Sequence, residues 1–212
     1  MCKIKICGLK RPEDIKMVND YEPDFGGFVF AGTKRKIDFD TAKNLRALMD
    51  PQIPAVGVFV NEKIELIEAL CRENIIQLVQ LHGDEDEAYI RTLKEKVSLP
   101  LIKAVRVKNQ EQILEAQKLP VDYLLLDTYV GGVYGGSGVT FDKNLIPKLT
   151  KPYFLAGGLA TENILERIEG LTPYGVDVSS GVETDGFKDE EKVDAFIYKI
   201  RGHRSNERLL FL

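Results

Sequence analysis

Cys7 ends a short alternating run, KIKIC, directly before Gly8. A cysteine at such a point is either a small apolar filler or, with an accessible thiolate, a nucleophile or base. Alternation puts Lys3, Lys5 and Cys7 on one face of the run and Ile4 and Ile6 on the other. The isoleucines belong against a layer of helices, which turns Lys5 and Cys7 inward. In YGVDVSS the same rule turns Val176 and Val178 outward and Asp177 inward. A Lys5–Asp177 pair is therefore expected if the two runs are neighbours, either as a structural ion pair or as part of a site. Asp127 closes the apolar run YLLLD. It is a helix N-cap or a titratable group on a rim. The glycine-rich stretch behind it, TYVGGVYGGSGVTFD, is a poor helix start and weakens the cap reading. Such a loop can cover a ligand or bring backbone amides to it. Arg35, in AGTKRKID, carries the planar fork that suits a carboxylate.

These residues need elements to position them. Apolar or β-branched runs end near Ile6, Phe30, Val60, Leu81, Val105, Asp127, Ala156 and Ser179, and helical spacing of apolar residues lies between them. In NEKIELIEALCREN, Ile64, Ile67, Leu70 and Cys71 share a face, which makes Cys71 core, and Asn61 is a candidate N-cap. The helical patterns after Arg11 and Asp142 are weak, and Pro147 shortens or breaks the second. Strand and helix alternating at this spacing argue for parallel strands. Eight such units predict a single (β/α)8 barrel, the TIM-barrel architecture, over residues 1–200, with a tail of uncertain structure at 201–212. No G-x-G-x-x-G follows the first strand to favour an open doubly wound sheet. The polar and glycine-rich strand ends then share one rim, where barrels of this kind place their active sites. The loops AGGLATEN and SSGVE follow the seventh and eighth strands, the usual barrel phosphate site. Backbone amides near Gly157, Gly158, Ser180 and Gly181 can approach an anion there.

Composition narrows the class. The net charge is −4 and the lysines are scattered, so no nucleic-acid footprint is present. No apolar run reaches the length of a membrane span, and MCKIKICGLK is too short and charged for a signal peptide. A cytoplasmic location is expected. Cys2, Cys7 and Cys71 form no disulfide framework, and with only His82 and His203 available a structural zinc site is not expected.

Eight short motifs occur in one order along nearly the whole chain: KICGL (5–9), GFVF (27–30), VGVFVN (56–61), QLHGDE (80–85), LLLDT (124–128), GGSGVTFD (135–142), LAGGL (155–159) and GVDVSSGVE (175–183). In this order they resemble the phosphoribosylanthranilate isomerase family of tryptophan biosynthesis. The resemblance implies a (β/α)8 barrel without metal or organic cofactor. It implies an Amadori rearrangement of N-(5-phosphoribosyl)anthranilate to 1-(2-carboxyphenylamino)-1-deoxyribulose 5-phosphate. By motif, Cys7 is the general base at the sugar C2′ and Asp127 the general acid at the ring oxygen. A thiolate must then coexist with a protonated acid, so the Cys7 pKa is expected to be depressed. Arg35 is expected to hold the anthranilate carboxylate, although this chain reads Thr-Lys-Arg where many relatives read Ser-Pro-Arg. His82 and Asp177 are expected to orient groups or touch substrate. Gly157, Gly158, Ser180 and Gly181 are expected to hold phosphate, helped by Gly136 and Ser137. The implied partner is a phosphorylated small molecule, the assembly a monomer or homodimer, with no nucleic acid and no membrane. Related sugar-phosphate isomerases or epimerases commonly use carboxylates where this chain has Cys7. A non-catalytic phospho-ligand binder would need neither Cys7 nor Asp127.

Overall fold

A computed structural model of the chain describes residues 2–32, 34–128 and 142–202. Eight parallel strands close into one barrel in sequence order. They are β1 (Lys3–Cys7), β2 (Phe25–Val29), β3 (Ala55–Phe59), β4 (Leu78–Leu81), β5 (Leu101–Val107), β6 (Tyr123–Thr128), β7 (Tyr153–Leu155) and β8 (Gly175–Val178). The expected (β/α)8 architecture is the observed one. Strand β8 returns to β1 with Lys5 opposite Asp177, and β1 pairs β2 with Cys7 opposite Gly27.

The helices are α1 (Pro12–Tyr21), α2 (Phe39–Leu48), α3 (Ile64–Arg72), α4 (Glu87–Lys96), α5 (Gln110–Ala116), α6 (Ile164–Ile168) and α7 (Glu190–Arg201). Four start on a side chain that takes up an otherwise unpaired amide: Asp38, Asp86, Asn109 and Asp189. Helix α1, weak in the sequence, runs a full ten residues. Pro12 opens it, and buried Asp14 reaches back to accept from the Lys10 and Arg11 amides at 2.9 and 3.1 Å. Between β6 and β7 the described residues hold a 3-10 turn, Lys143–Leu145, capped by Asp142, in keeping with the short or broken element expected ahead of Pro147. One expectation needs correction. Asn61 is not the cap of α3, which starts behind Lys63. Its backbone is left-handed at φ 49° and its Oδ1 accepts from the Asp84 amide at 2.9 Å, so it ties the β3 and β4 ends together.

Two apolar layers result. Ile4, Ile6, Phe28, Phe59, Leu81 and Leu126 belong to the larger one, together with helix side chains such as Ile67, Leu70 and Leu93. A second cluster of Phe25, Val56, Leu78, Ile102, Leu125 and Phe154 fills the lumen. Alternation explains the split: Ile4 and Ile6 point outward, and Lys5 and Cys7 point inward. With the lower lumen filled, the cavity lies at the C-terminal mouth. Cys71 is half-buried against the outer layer, and burial pushes its thiol up to about 11. A two-stranded hairpin, β9 (Glu183–Thr184) with β10 (Phe187–Lys188), follows β8. Helix α7 ends on Gly202. The expected tail therefore falls mainly on residues 203–212, outside the described residues.

Candidate active site

Strand register brings the first pair together. Lys5 is fully buried, and its Nζ donates to Asp177 Oδ1 at 2.8 Å. Burial works against the Lys5 charge, but Asp177 and the adjacent Cys7 sulfur hold its pKa above the ordinary lysine value. Cys7 lies one step up the same face, 7% exposed, and Ser179 Oγ donates to its carbonyl at 3.0 Å. The expected depression of its pKa is not what this site produces. Burial pushes the thiol up, Lys5 and Lys188 pull it back only in part, and Asp177 adds to the rise. Burial outweighs the two cations, each of which is already paired, Lys5 with Asp177 and Lys188 with Glu183.

Asp127, near the end of β6, is 4% exposed. Its Oδ2 lies 3.2 Å from His82 Nε2, while Gln80 Nε2 lies 2.8 Å from His82 Nδ1. Gln80 and His82 are two residues apart on one face, so Gln80 sits a step deeper in the lumen. Cys7, Arg35, His82, Asp127 and Asp177 line one cavity of about 190 Å³, together with Gly157, Gly158 and Ser180. Strands β7 and β8 separate Cys7 from Asp127 around the ring, so the two face the cavity from different sides.

Arg35 reaches the cavity with its fork occupied. Its Nε and Nη2 donate to the two carboxylate oxygens of Glu183, each at 2.7 Å. Glu183 also accepts from Lys188 Nζ at 2.7 Å. Burial would raise the Glu183 carboxyl, but Arg35 and Lys188 outweigh it and bring it down to about 2. Burial lowers the pKa of Lys188 despite Glu183.

The loops after β7 and β8 meet closely. Gly157 and Gly158 have left-handed φ values of 85° and 63°. A Cβ on Gly181 would stand 1.9 Å from the Leu159 carbonyl oxygen, so only glycine permits this approach. Asn163 fixes the β7 loop, accepting from the Ala160 amide at 3.0 Å and donating to the Gly158 carbonyl at 2.8 Å. Gly136 and Ser137 lie outside the described residues.

Several contributors escaped the sequence reading. Glu85 is buried beneath the β4 rim and accepts from the Asn61 and Gly83 amides and from Lys103 Nζ. Lys103 also donates to the Gly83 carbonyl at 2.7 Å, so this network clamps the residue next to His82. For Gln80 the available signal was a polar residue within the apolar run IIQLVQL; Glu183, in SSGVETDG, offered none.

A closed eight-stranded parallel barrel with Cys7 and Asp127 on one cavity at its C-terminal mouth has the architecture of a (β/α)8-barrel enzyme. The profile of the N-(5′-phosphoribosyl)anthranilate (PRA) isomerase family matches residues 4–199. The N-(5′-phosphoribosyl)anthranilate isomerase of Lachnoclostridium phytofermentans is 54% identical over 209 residues, covering 92% of this chain and 96% of the relative. The phosphoribosyl anthranilate isomerase of Thermotoga maritima superposes with a TM-score of 0.83 at 33% identity, covering 96% of this chain and all of that one. The enzyme of that organism is described as dimeric. A phosphoribosyl anthranilate isomerase in complex with reduced 1-(o-carboxyphenylamino)-1-deoxyribulose 5-phosphate superposes at 0.80 with 32% identity, over 96% and 100% of the two chains. This chain belongs to the phosphoribosylanthranilate isomerase family. It is an isomerase of tryptophan biosynthesis that takes a phosphorylated small molecule as substrate.

Proposed function

We propose that Cys7 and Asp127 are the base and the acid of this rearrangement. The observation that carries the reading is their placement on one cavity, each buried and each touching a polar partner of its own. Asp127 gives its proton to the ring oxygen as the C1′–O bond breaks, and the anilino nitrogen lone pair forms the C1′=N Schiff base. The Cys7 thiolate then takes the C2′ proton, and that C–H electron pair becomes the C1′=C2′ bond of an enolamine as the C=N electrons return to nitrogen. Moving the enol proton to C1′ gives the aminoketone.

The loops bearing Gly157, Gly158, Ser180 and Gly181 hold the phosphate at one end, with Gly136 and Ser137 as further candidates. Arg35 takes the anthranilate carboxylate at the other, exchanging part of its bond with Glu183 for the ligand. Asp177 holds Lys5 beside Cys7, and His82 holds Asp127. The protein works in the cytoplasm, as a monomer or a homodimer; among the described residues no helix is long and apolar enough to cross a membrane.

The test is loss of anthranilate fluorescence on freshly prepared phosphoribosylanthranilate. Wild type turns the substrate over, while Cys7→Ala and Asp127→Asn, both folded, each lose at least about 100-fold in kcat. Full activity in Cys7→Ala would leave the reaction standing and remove Cys7 as the base. Full activity in Asp127→Asn would remove Asp127 as the acid.

A further inference from the structure

The geometry points to Gln80 as a positioning residue for the acid: its side-chain amide fixes the tautomer of His82, so that the imidazole presents N–H to Asp127. The inference rests on the reading of Asp127 as the acid. Gln80 is 1% exposed and belongs to no role assigned above.

An amide nitrogen can only donate, so at 2.8 Å the Gln80 Nε2 requires a bare lone pair on His82 Nδ1. A neutral imidazole with a bare Nδ1 carries its proton on Nε2, and that atom is the one 3.2 Å from Asp127 Oδ2. The three side chains thus form a directional series, Gln80 N–H to Nδ1 and Nε2–H to Oδ2. Hydrogen bonding at one ring nitrogen commonly decides the proton on the other.

The opposite amide orientation is the poorer one. As placed, the amide leaves Gln80 Oε1 buried without a partner among the described residues. Turned over, it would bury the amide N–H groups there instead. Orphaned N–H groups are rarer in proteins than under-satisfied carbonyl oxygens. The consequence for the acid is orientation. With Nε2–H donating to Oδ2, the proton that Asp127 delivers belongs on its other oxygen, Oδ1. The Lys103–Glu85 clamp on Gly83 keeps the His82 backbone in place, which leaves the tautomer to Gln80.

The readout is the 15N spectrum of the imidazole in the substrate-free protein. The chain has two histidines, so His203→Gln leaves His82 as a single signal. Wild type is expected to show a protonated Nε2 and a bare Nδ1. Gln80→Met keeps the length but removes the donor, and should yield a tautomer mixture. Its kcat should fall about 10-fold, with KM within about threefold, as for loss of orientation of an acid. Gln80→Glu offers an acceptor, so it should move the proton onto Nδ1 and lower kcat further. A wild-type spectrum with Nδ1 protonated overturns the inference, whether or not either variant folds. So does a change in kcat with the tautomer unmoved in both variants, because packing alone would do that. These spectra need no turnover. Activity retained by Asp127→Asn would remove the acid assignment while leaving the measured tautomer as it is.

Discussion

Cys7 lies between a buried lysine that already has its carboxylate and a second lysine that has its own. Burial therefore governs it, and a thiolate formed there is a stronger base than an ordinary one. With Cys2→Ser and Cys71→Ala in the background, alkylation of Cys7 by iodoacetamide should quicken about tenfold per pH unit through neutrality and keep rising past about pH 8.5. A plateau near pH 7 would mean that Lys5 and Lys188 overcome burial. Gly27 makes the thiol's seat: a Cβ there would lie 2.9 Å from the Cys7 sulfur. The inward face of Cys7, Lys5 and Asp177 is legible in the sequence because strand alternation has a fixed period. The direction of the Cys7 pKa shift is not, because its sign depends on how deeply the barrel buries the thiol and on which charges then face it. Arg35 is a similar case. Its reach to the cavity follows from its loop, but Glu183 on its fork comes from a strand 148 residues away.

Between β3, β4 and β5 the rim is built on one buried ion pair. The side chains of Glu85 and Lys103 are 1% and 8% exposed, and Asn61, Gly83 and Lys103 supply the hydrogen bonds that satisfy the carboxylate. Removing one member leaves the other charge buried and unpaired, which costs about 3–5 kcal/mol. Lys103→Met should lower the unfolding free energy by about that amount in urea, and Lys103→Met with Glu85→Met should recover part of it. A loss below about 1 kcal/mol would mean that water reaches Glu85 and the clamp is slack. Most strand and helix positions could be read from periodicity, since strand ends fall within about two residues of expectation. The departures have local causes. Asn61 leaves the helix because its side chain bridges to Asp84, and α6 is cut to five residues where Asn163 is spent on the β7 loop. The Glu85–Lys103 contact joins residues 18 apart across two strands, so neither charge stands out from an ordinary solvated face in the sequence.

The barrel as a whole is fastened where its first strand meets its last helix. Asp24, just ahead of β2, accepts from Lys3 Nζ at 2.8 Å, the Ile4 amide at 2.9 Å and Arg201 at 3.1 Å. It therefore joins β1 and α7, the two ends of the described barrel. Burial opposes its charge, but these donors hold its pKa below the ordinary aspartate value. At the opposite end Glu183 is lowered to about 2 and fastens Arg35 and Lys188 beside β8. Both carboxyls bind protons more weakly folded than unfolded, where their pKa values are about 3.9 and 4.3. Their contribution is thus fully present above about pH 5 and is lost as pH falls through the folded values, toward 2 for Glu183. The melting temperature of wild type should fall steeply between about pH 4.5 and 2. Asp24→Asn should melt lower at pH 7 and show a shallower fall over that window, because a neutral amide has no proton to gain. Parallel melting curves for wild type and Asp24→Asn across the window would mean that the Asp24 ties to Lys3 and Arg201 add nothing to the closed barrel, leaving its acid sensitivity to Glu183 and the mouth.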